Sequence, residues 1–313
     1  MDTFVFALLN GVIHGLLLFM VSAGLTLVFG MMGVLNFAHA SFYMLGAYFA
    51  YTLQGFVGFG AAVVLATLLA GAVGVAVERW FLRRVHHHGH AHELLLTFGL
   101  SFIIAETIKL LFGNHPVDYR VPASLDFAAF TLGSQQYPAY RLLMGGVAIA
   151  MFAAIWALLT RTRVGIVVRA AIYRPRMAEA LGHNVQLVFM GVFGVGAALA
   201  GLAGAVAGAF YTTNPNMALE VGVMVFVIVV VGGLGSLGGA MLASLVIGIV
   251  TSLAVGVDRS IADLLAVVGA RAWAESVGGL LTLKVSSLAA TIPFALMLLV
   301  LLVRPRGLMG EEG

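Results

Sequence analysis

The sequence predicts an all-α fold: a polytopic transmembrane helical bundle of eight to ten spans, some of its helices discontinuous. Three observations predict it. Apolar residues make up 62% of the 313-residue chain and charged residues only 9%. The mean hydropathy is +1.08. Long apolar runs recur from end to end, separated by short breaks bearing Gly, Pro or Arg. A soluble domain carries roughly 45–50% apolar and ~25% charged residues, because its outer face must meet water. This chain has too few charges for that, so its outside faces lipid. Spanning β-barrels are built from ~10-residue segments of alternating polarity, and the continuous runs exclude them. Backbone polar groups in lipid must be satisfied within their own segment, which leaves helices. There is no cysteine, hence no disulfide and no thiolate metal site. Residues 1–313 read as a single transmembrane domain.

A crossing helix needs ~20 apolar residues. Hydropathy places spans near 4–31, 40–55, 57–78, 93–113, 141–160, 186–210, 219–232, 238–257 and 288–303. The opening MDTFVFALLNGVIHGLLLF lacks a basic leader region and a small-residue cleavage site, which predicts a retained first span. The 40–55 and 219–232 pieces are short enough to be half-helices. Lys and Arg in short loops mark the cytoplasmic side. Arg79, Arg83 and Arg84, then Arg161 through Arg176, then Arg304 and Arg306 fall on one side when the chain is threaded with its N-terminus outside. The opposite connection, 114–140, holds one basic residue, Arg120. On that outer side, 258–287 is polar. Asp258 or Ser260 can cap a helix with Ile261, Leu264, Leu265 and Val268 in one stripe. It is a helix lying on the membrane surface or filling a gap in the bundle, or a surface for docking an external partner.

Four features are candidates for function. In GMMGVLNFAH an apolar run ends at Gly30 and Gly33, and Asn36 and His39 follow three apart, on one helical face. They face a cavity, or they lie in a loop at the membrane surface. In VVVGGLGSLGGAML, five glycines, Gly232, Gly233, Gly235, Gly238 and Gly239, cluster between two apolar runs. That stretch reads as an unwound break between half-helices, whose termini suit charged solute groups. Tight helix packing through small residues fits GLAGAVAGAF (201–210) better. In the cytoplasmic segment 161–184, Pro175 suits the first turn of a helix and Gly182 the position past its end. Arg176–Leu181 is then a short helix, presented for docking or a solvated charged loop. The tract His86, His87, His88, His90 and His92 is a compositional signal only, read as a variable loop with no metal assigned.

No catalytic site is expected. The only lysines, Lys109 and Lys284, are followed by Leu and Val, so a G-x-x-x-x-G-K-[ST] nucleotide loop is impossible. His92-Glu93 is followed by three leucines, so H-E-x-x-H is absent. Glu106 and Lys109 are three apart, the pattern of an intramembrane pair in an ion-coupled transporter. Near the outer end of a span they are also simply long side chains reaching water.

Together these segments resemble the LivH family of branched-chain amino acid ABC-transporter permeases. GLTLVFGMMGVLNFAHASFYMLGAY (Gly24–Tyr48) is similar to its N-terminal signature, and Thr160–Val185, with MAEALGHNV, to its coupling segment. GAALAGLAGAVAG, GGLGSLGGAMLASLVIG and LLVRPRGLMG match in order. Ala40 stands where many relatives have Gly, and His183 where the coupling motif has Ile. The resemblance implies an importer subunit of the bacterial inner membrane, with branched-chain amino acids as its solute and urea or short amides as the alternative. Its implied partners are a second homologous permease, two cytoplasmic ATPases that use the ATP, and an external solute-binding protein. No cofactor would be bound by this chain. Asn36, His39, Ser41, Gly232, Gly233 and Gly235 are the expected path residues, and Arg176, Glu179, Ala180 and Gly182 the expected coupling residues.

Overall fold

A computed structural model describes residues 2–310 except 133–134, 257–259, 261, 264–265, 267–268 and 280–282. Helices α1 (Asp2–Met32), α2 (His39–Val57), α3 (Phe59–Val77) and α4 (His90–Phe112) are followed by a two-stranded ribbon, β1 (Ala128–Leu132) and β2 (Gln135–Pro138). Then come α5 (Ala139–Arg161), α6 (Arg163–Tyr173), α7 (Pro175–Ala180), α8 (Val185–Ala207), α9 (Met217–Gly232) and α10 (Leu237–Gly256). α11 (Arg271–Val277) and α12 (Ile292–Val303) end the order, α12 being led in by a 3-10 stretch over Val285–Thr291. Among the described residues, seven helical stretches are long and apolar enough to cross a membrane. The two pieces expected to be short are α2, with 19 residues, and α9, with 16. Including them gives nine (7 + 2), within the expected range.

Contacts between elements sort the bundle into two ends. At one end Gly30 meets Gly235, Gly33 meets the ring of His90, and Gly233 meets Gly310. There, too, Arg83 Nη2 donates to the Gln186 carbonyl at 3.4 Å. At the other end Ser252 donates to the Ala7 carbonyl at 2.7 Å. Tyr119 and Tyr140 donate to the carbonyls of Ala205 and Val206, each at 2.6 Å. Burial pushes the Tyr119 phenol well above its ordinary range, so it stays a donor. The three arginine groups all fall at the first end, as the sequence threading requires.

Lipid is as apolar as leucine, so helices here are held by close packing rather than by exclusion from water. Small residues provide it. A Cβ on Gly46 would lie 2.1 Å from the Gly201 carbonyl oxygen, and one on Gly204 only 1.8 Å from the Tyr43 carbonyl oxygen. These contacts set α8 against α2, while Gly71 and Gly74 set α3 against α8. Gly11, Gly15 and Gly248 do the same for α1 and α10. The packing role expected for GLAGAVAGAF is thus what the structure shows.

Two regions depart from the expectation or lie partly outside it. The 114–140 connection holds the β-ribbon, a small exception to an all-α chain. Its antiparallel register sets Phe130 opposite Tyr137, and the rings stack at 5.2 Å. Such cross-strand pairs stabilise a ribbon, and strands of five and four residues are too short to stand out in a hydropathy profile. In 258–287, Ser260 Oγ accepts from the Asp263 N–H at 3.1 Å, and Asp263 Oδ2 accepts from the Ser260 N–H at 2.9 Å. That reciprocal cap agrees with the expected role of Ser260. Asp258 and the stripe Ile261, Leu264, Leu265 and Val268 lie outside the described residues.

Candidate functional site

The break between α1 and α2 is the centre of the site. α1 stops at Gly33, whose N–H still bonds to the Phe29 carbonyl at 2.8 Å. The chain then doubles back into the bundle. Asn36 Oδ1 accepts from the Ala38 N–H at 3.0 Å, turning the chain into α2. The Phe37 N–H donates to Thr97 Oγ1 of α4 at 3.3 Å. His39 Nε2 lies 3.0 Å from the Val21 carbonyl of α1. Val21 is eleven residues before the end of α1, about 16 Å along the helix. α2 therefore starts deep in the bundle, near the middle of a ~30 Å hydrocarbon core.

Burial decides between the two readings of this break. Asn36, His39 and Ser41 are 4%, 2% and 1% exposed, which excludes a loop on the membrane surface. With Nε2 donating to Val21, Nδ1 of His39 is left buried without a partner among the described residues. Buried polar groups of this kind in a membrane protein usually face a cavity or another helix. Here they line a cavity of about 350 Å³ together with α4 and α9. Along α4 the cavity runs from Phe98 to Lys109, about 16 Å. It thus extends from the mid-depth break toward the end without arginine groups. Its walls are mainly apolar, with Ser101, Asn216 and the Glu106–Lys109 pair as added polar groups. A chamber of this size with a few convergent polar groups is the usual form of a small-solute site. The α9 wall lies outside the expected path residues: Leu219, Val223 and Phe226 recur at helical spacing and are 74%, 46% and 38% exposed. Asn36→Leu removes both a cavity polar group and the bond to Ala38. Solute uptake is expected to fall about tenfold, the factor carried by 1.4 kcal/mol, with assembly intact; unchanged uptake would remove Asn36 from the path.

The glycine break lies elsewhere. After Gly232 the chain reverses through 233–236 into α10, at the arginine end. A Cβ on Gly232 would meet the Ala240 nitrogen at 2.6 Å, on Gly233 the Gly310 nitrogen at 2.5 Å, and on Gly235 the Gly30 Cα at 2.8 Å. The last carbonyls of α9, which a helix end leaves without partners, accept from the tail. Leu308 N–H bonds to Val231 at 2.8 Å and Met309 N–H to Gly232 at 3.0 Å. The structure therefore does not bring Gly232, Gly233 and Gly235 to the cavity with Asn36, His39 and Ser41.

The expected short cytoplasmic helix is α7, Pro175–Ala180. Ala178 packs inward with Ala171 and Val185. Arg176, Glu179 and Ala180 are exposed, as are Met177 (54%) and Leu181 (73%). Gly182, at φ +86, ends the helix in the left-handed region. Asn184 Oδ1 then caps α8 by accepting from the Leu187 N–H at 3.1 Å. In the histidine tract, His86–His88 form a single 3-10 turn. Glu93 is buried and meets Nδ1 of His86, and lies 3.2 Å from Nδ1 of His90. No group of three or more metal-ligating side chains occurs among the described residues. Glu93, the carboxylate adjacent to the tract in sequence, lies in the first turn of α4, where its charge suits the helix dipole.

A helical bundle crossing the membrane several times, with a polar break flooring a mid-depth chamber, has the form of a transmembrane permease. A family model described as branched-chain amino acid transport system / permease component matches residues 7–301, and the chain belongs to that family. It is 29% identical to the high-affinity branched-chain amino acid transport system permease protein LivH of Escherichia coli K12, over 96% of this chain and 94% of that one. Identity to the corresponding BraD protein of Pseudomonas aeruginosa is 26%, over 97% and 95%. The probable LivH of Methanocaldococcus jannaschii matches at 26% over 78% and 79%. Among solved structures, PsaBC from Streptococcus pneumoniae in complex with Fab covers 95% of this chain and 91% of that chain. Its TM-score is 0.46 at 12% identity, too distant a likeness to carry an argument.

Proposed function

We propose that this chain is the permease subunit of an ATP-binding-cassette importer and forms the path for branched-chain amino acids across the inner membrane. The observation that carries this reading is similarity along nearly the whole chain to permeases named for branched-chain amino acid transport. The arginine end faces the cytoplasm by the positive-inside rule, so the N-terminus is outside and the cavity opens outward. An external binding protein delivers solute to the cavity. Apolar walls accept the branched side chain, while Asn36, His39 Nδ1 and Ser41 offer polar contacts at its floor. A second homologous permease completes the path. Two cytoplasmic ATPases supply the energy, docking on the exposed face of α7 formed by Arg176, Met177, Glu179 and Ala180. Bound ATP belongs to those partners, and this chain holds no cofactor of its own.

Reconstitution of the four kinds of subunit in proteoliposomes, with labelled leucine and labelled urea compared, tests the reading. Leucine uptake that needs ATP supports it; urea uptake with no leucine uptake would reassign the solute. The ion-coupled alternative has one specific feature, the Glu106–Lys109 pair, whose atoms lie 2.6 Å apart at the outer end of the cavity. The two side chains are 60% and 30% exposed, and an exposed pair contributes ~0–1 kcal/mol. Glu106→Gln is therefore expected to leave ATP-driven uptake within about twofold of the parent, ~0.4 kcal/mol. Loss of uptake in that variant, together with parent uptake driven by an imposed ion gradient without ATP, would favour ion coupling instead.

A further inference from the structure

Glu78 is an ionisable residue inside a spanning stretch, 3% exposed, at the arginine end of the bundle. Such residues are costly, and most mark function. It begins a π-helical turn, Glu78–Leu82, which continues α3 toward Arg83. Extra-wide turns of this kind recur at functional sites. Arg83 Nη2 lies 3.7 Å from Glu78 Oε2, beyond hydrogen-bond reach. Both Glu78 Oε2 and Arg83 Nε are buried without a hydrogen-bond partner among the described residues. The two side chains are thus ion-paired, with a buried acceptor and a buried donor still short of a hydrogen bond.

The same guanidinium touches the segment behind α7. Its Nη2 donates to the Gln186 carbonyl at 3.4 Å, in the first turn of α8. His86, just past the π turn, sets its ring 6.4 Å from that of Phe189, one turn further along α8. Between these contacts lies a cleft of about 150 Å³, lined by Arg79, Arg83, Asn184, Gln186, Leu187 and Met190, which leaves room for movement. α3 and α8 pack tightly above it, where a Cβ on Gly74 would lie 2.4 Å from Ala197 Cβ. A displacement at Asn184 and Gln186 therefore reaches α3 through Arg83 and Glu78.

We propose that Glu78 and Arg83 are positioning residues that lock α3 to the segment following α7, their hydrogen bond closing in one state of the transport cycle and opening in another. The proposal rests on the reading of α7 as the ATPase docking helix. It predicts that movement of α7, carried through Gly182 to the start of α8, is passed to the transmembrane helices at this pair. Glu78→Gln keeps the size of the side chain and removes its charge, and Arg83→Gln removes the bridging cation.

The test uses the whole importer in proteoliposomes, with leucine uptake and ATP hydrolysis measured on the same preparation. In assembled complexes of either variant, hydrolysis continues while leucine transported per ATP falls at least about fivefold. Arg83→Lys, which keeps a charge near Glu78, recovers part of that loss, whereas a purely structural role would change yield and not the ratio. Because the chain has no cysteine, Arg83→Cys with Gln186→Cys gives a single pair that a cleavable bis-maleimide can bridge across the span of the arginine side chain, should the glutamine variants fail to assemble. Cross-linking is expected to stop uptake while hydrolysis continues, and cleavage of the linker to restore uptake. An unchanged ratio in the assembled glutamine variants, or normal uptake by the verified cross-linked pair, would overturn the proposal. A parent complex that takes up no leucine with ATP would instead sink the importer reading on which it rests.

Discussion

Gly204→Val is expected to abolish the monodisperse folded chain, while Gly191→Ala, on the same helix, leaves it intact or slightly stabilised. Both glycines lie in α8, so intrinsic propensity treats them alike: Ala is favoured over Gly in a helix by roughly 0.8–1.0 kcal/mol. Their surroundings differ. A Cβ at Gly191 meets nothing within 4 Å, whereas one at Gly204 would lie 1.8 Å from the Tyr43 carbonyl oxygen and 2.7 Å from its carbon. Those atoms are backbone and cannot rotate away, so α2 and α8 must part. Overpacking of a close-packed core costs ~1–3 kcal/mol and sometimes more, and valine adds two methyl groups to the clash. α2 also carries His39 and Ser41, so the same displacement moves the cavity floor. Thermal unfolding in detergent and size-exclusion yield should rank the variants Gly191→Ala, parent, Gly204→Ala, Gly204→Val, from most to least stable. A Gly204→Val chain that melts with the parent would mean that the close approach of α2 and α8 is not there.

The contrast between those glycines shows what the sequence holds and what it withholds. Hydropathy located the spans closely, 93–113 against His90–Phe112 and 186–210 against Val185–Ala207, because lipid demands continuous apolar helix whatever its neighbours. Residue type also marked Asn36, His39 and Ser41. Depth was not legible, since helical periodicity assigns a face but no height. The height is fixed by contacts distant in sequence, His39 to Val21 and Phe37 to Thr97. The glycines at 232–235 show the same limit: glycine permits both an unwound site and close backbone approach. Which one occurs depends on Leu308 and Met309 bonding to the end of α9, more than seventy residues away. Glu78 beside Arg79, Arg83 and Arg84 reads in sequence as a solvated charge cluster, and only its burial sets it apart.

Gly182→Pro is expected to disconnect hydrolysis from transport in the assembled importer. Gly182 sits at φ +86, and its N–H donates to the Glu179 carbonyl at 2.9 Å while His183 N–H reaches back to Ala178 at 3.0 Å. Proline fixes φ near about −65° and has no N–H, so it can satisfy neither the backbone angle nor the bond. The end of α7 must then open, and with it the turn that delivers Asn184 to the start of α8. Substituents should follow the cost of left-handed backbone. Asn visits that region readily, and Ala pays roughly 1–2 kcal/mol. Stimulation of ATP hydrolysis by the loaded binding protein should therefore fall in the order Gly, Asn, Ala, Pro. In the proline variant hydrolysis should stay at the unstimulated rate, with uptake down about tenfold or more, at least ~1.4 kcal/mol in a rate. The exposed face of α7 is untouched by the change, so docking of the ATPases should survive and can be checked by co-purification. Normal stimulated hydrolysis in the proline variant would show that the ATPases sense the solute by a route that does not pass through this turn.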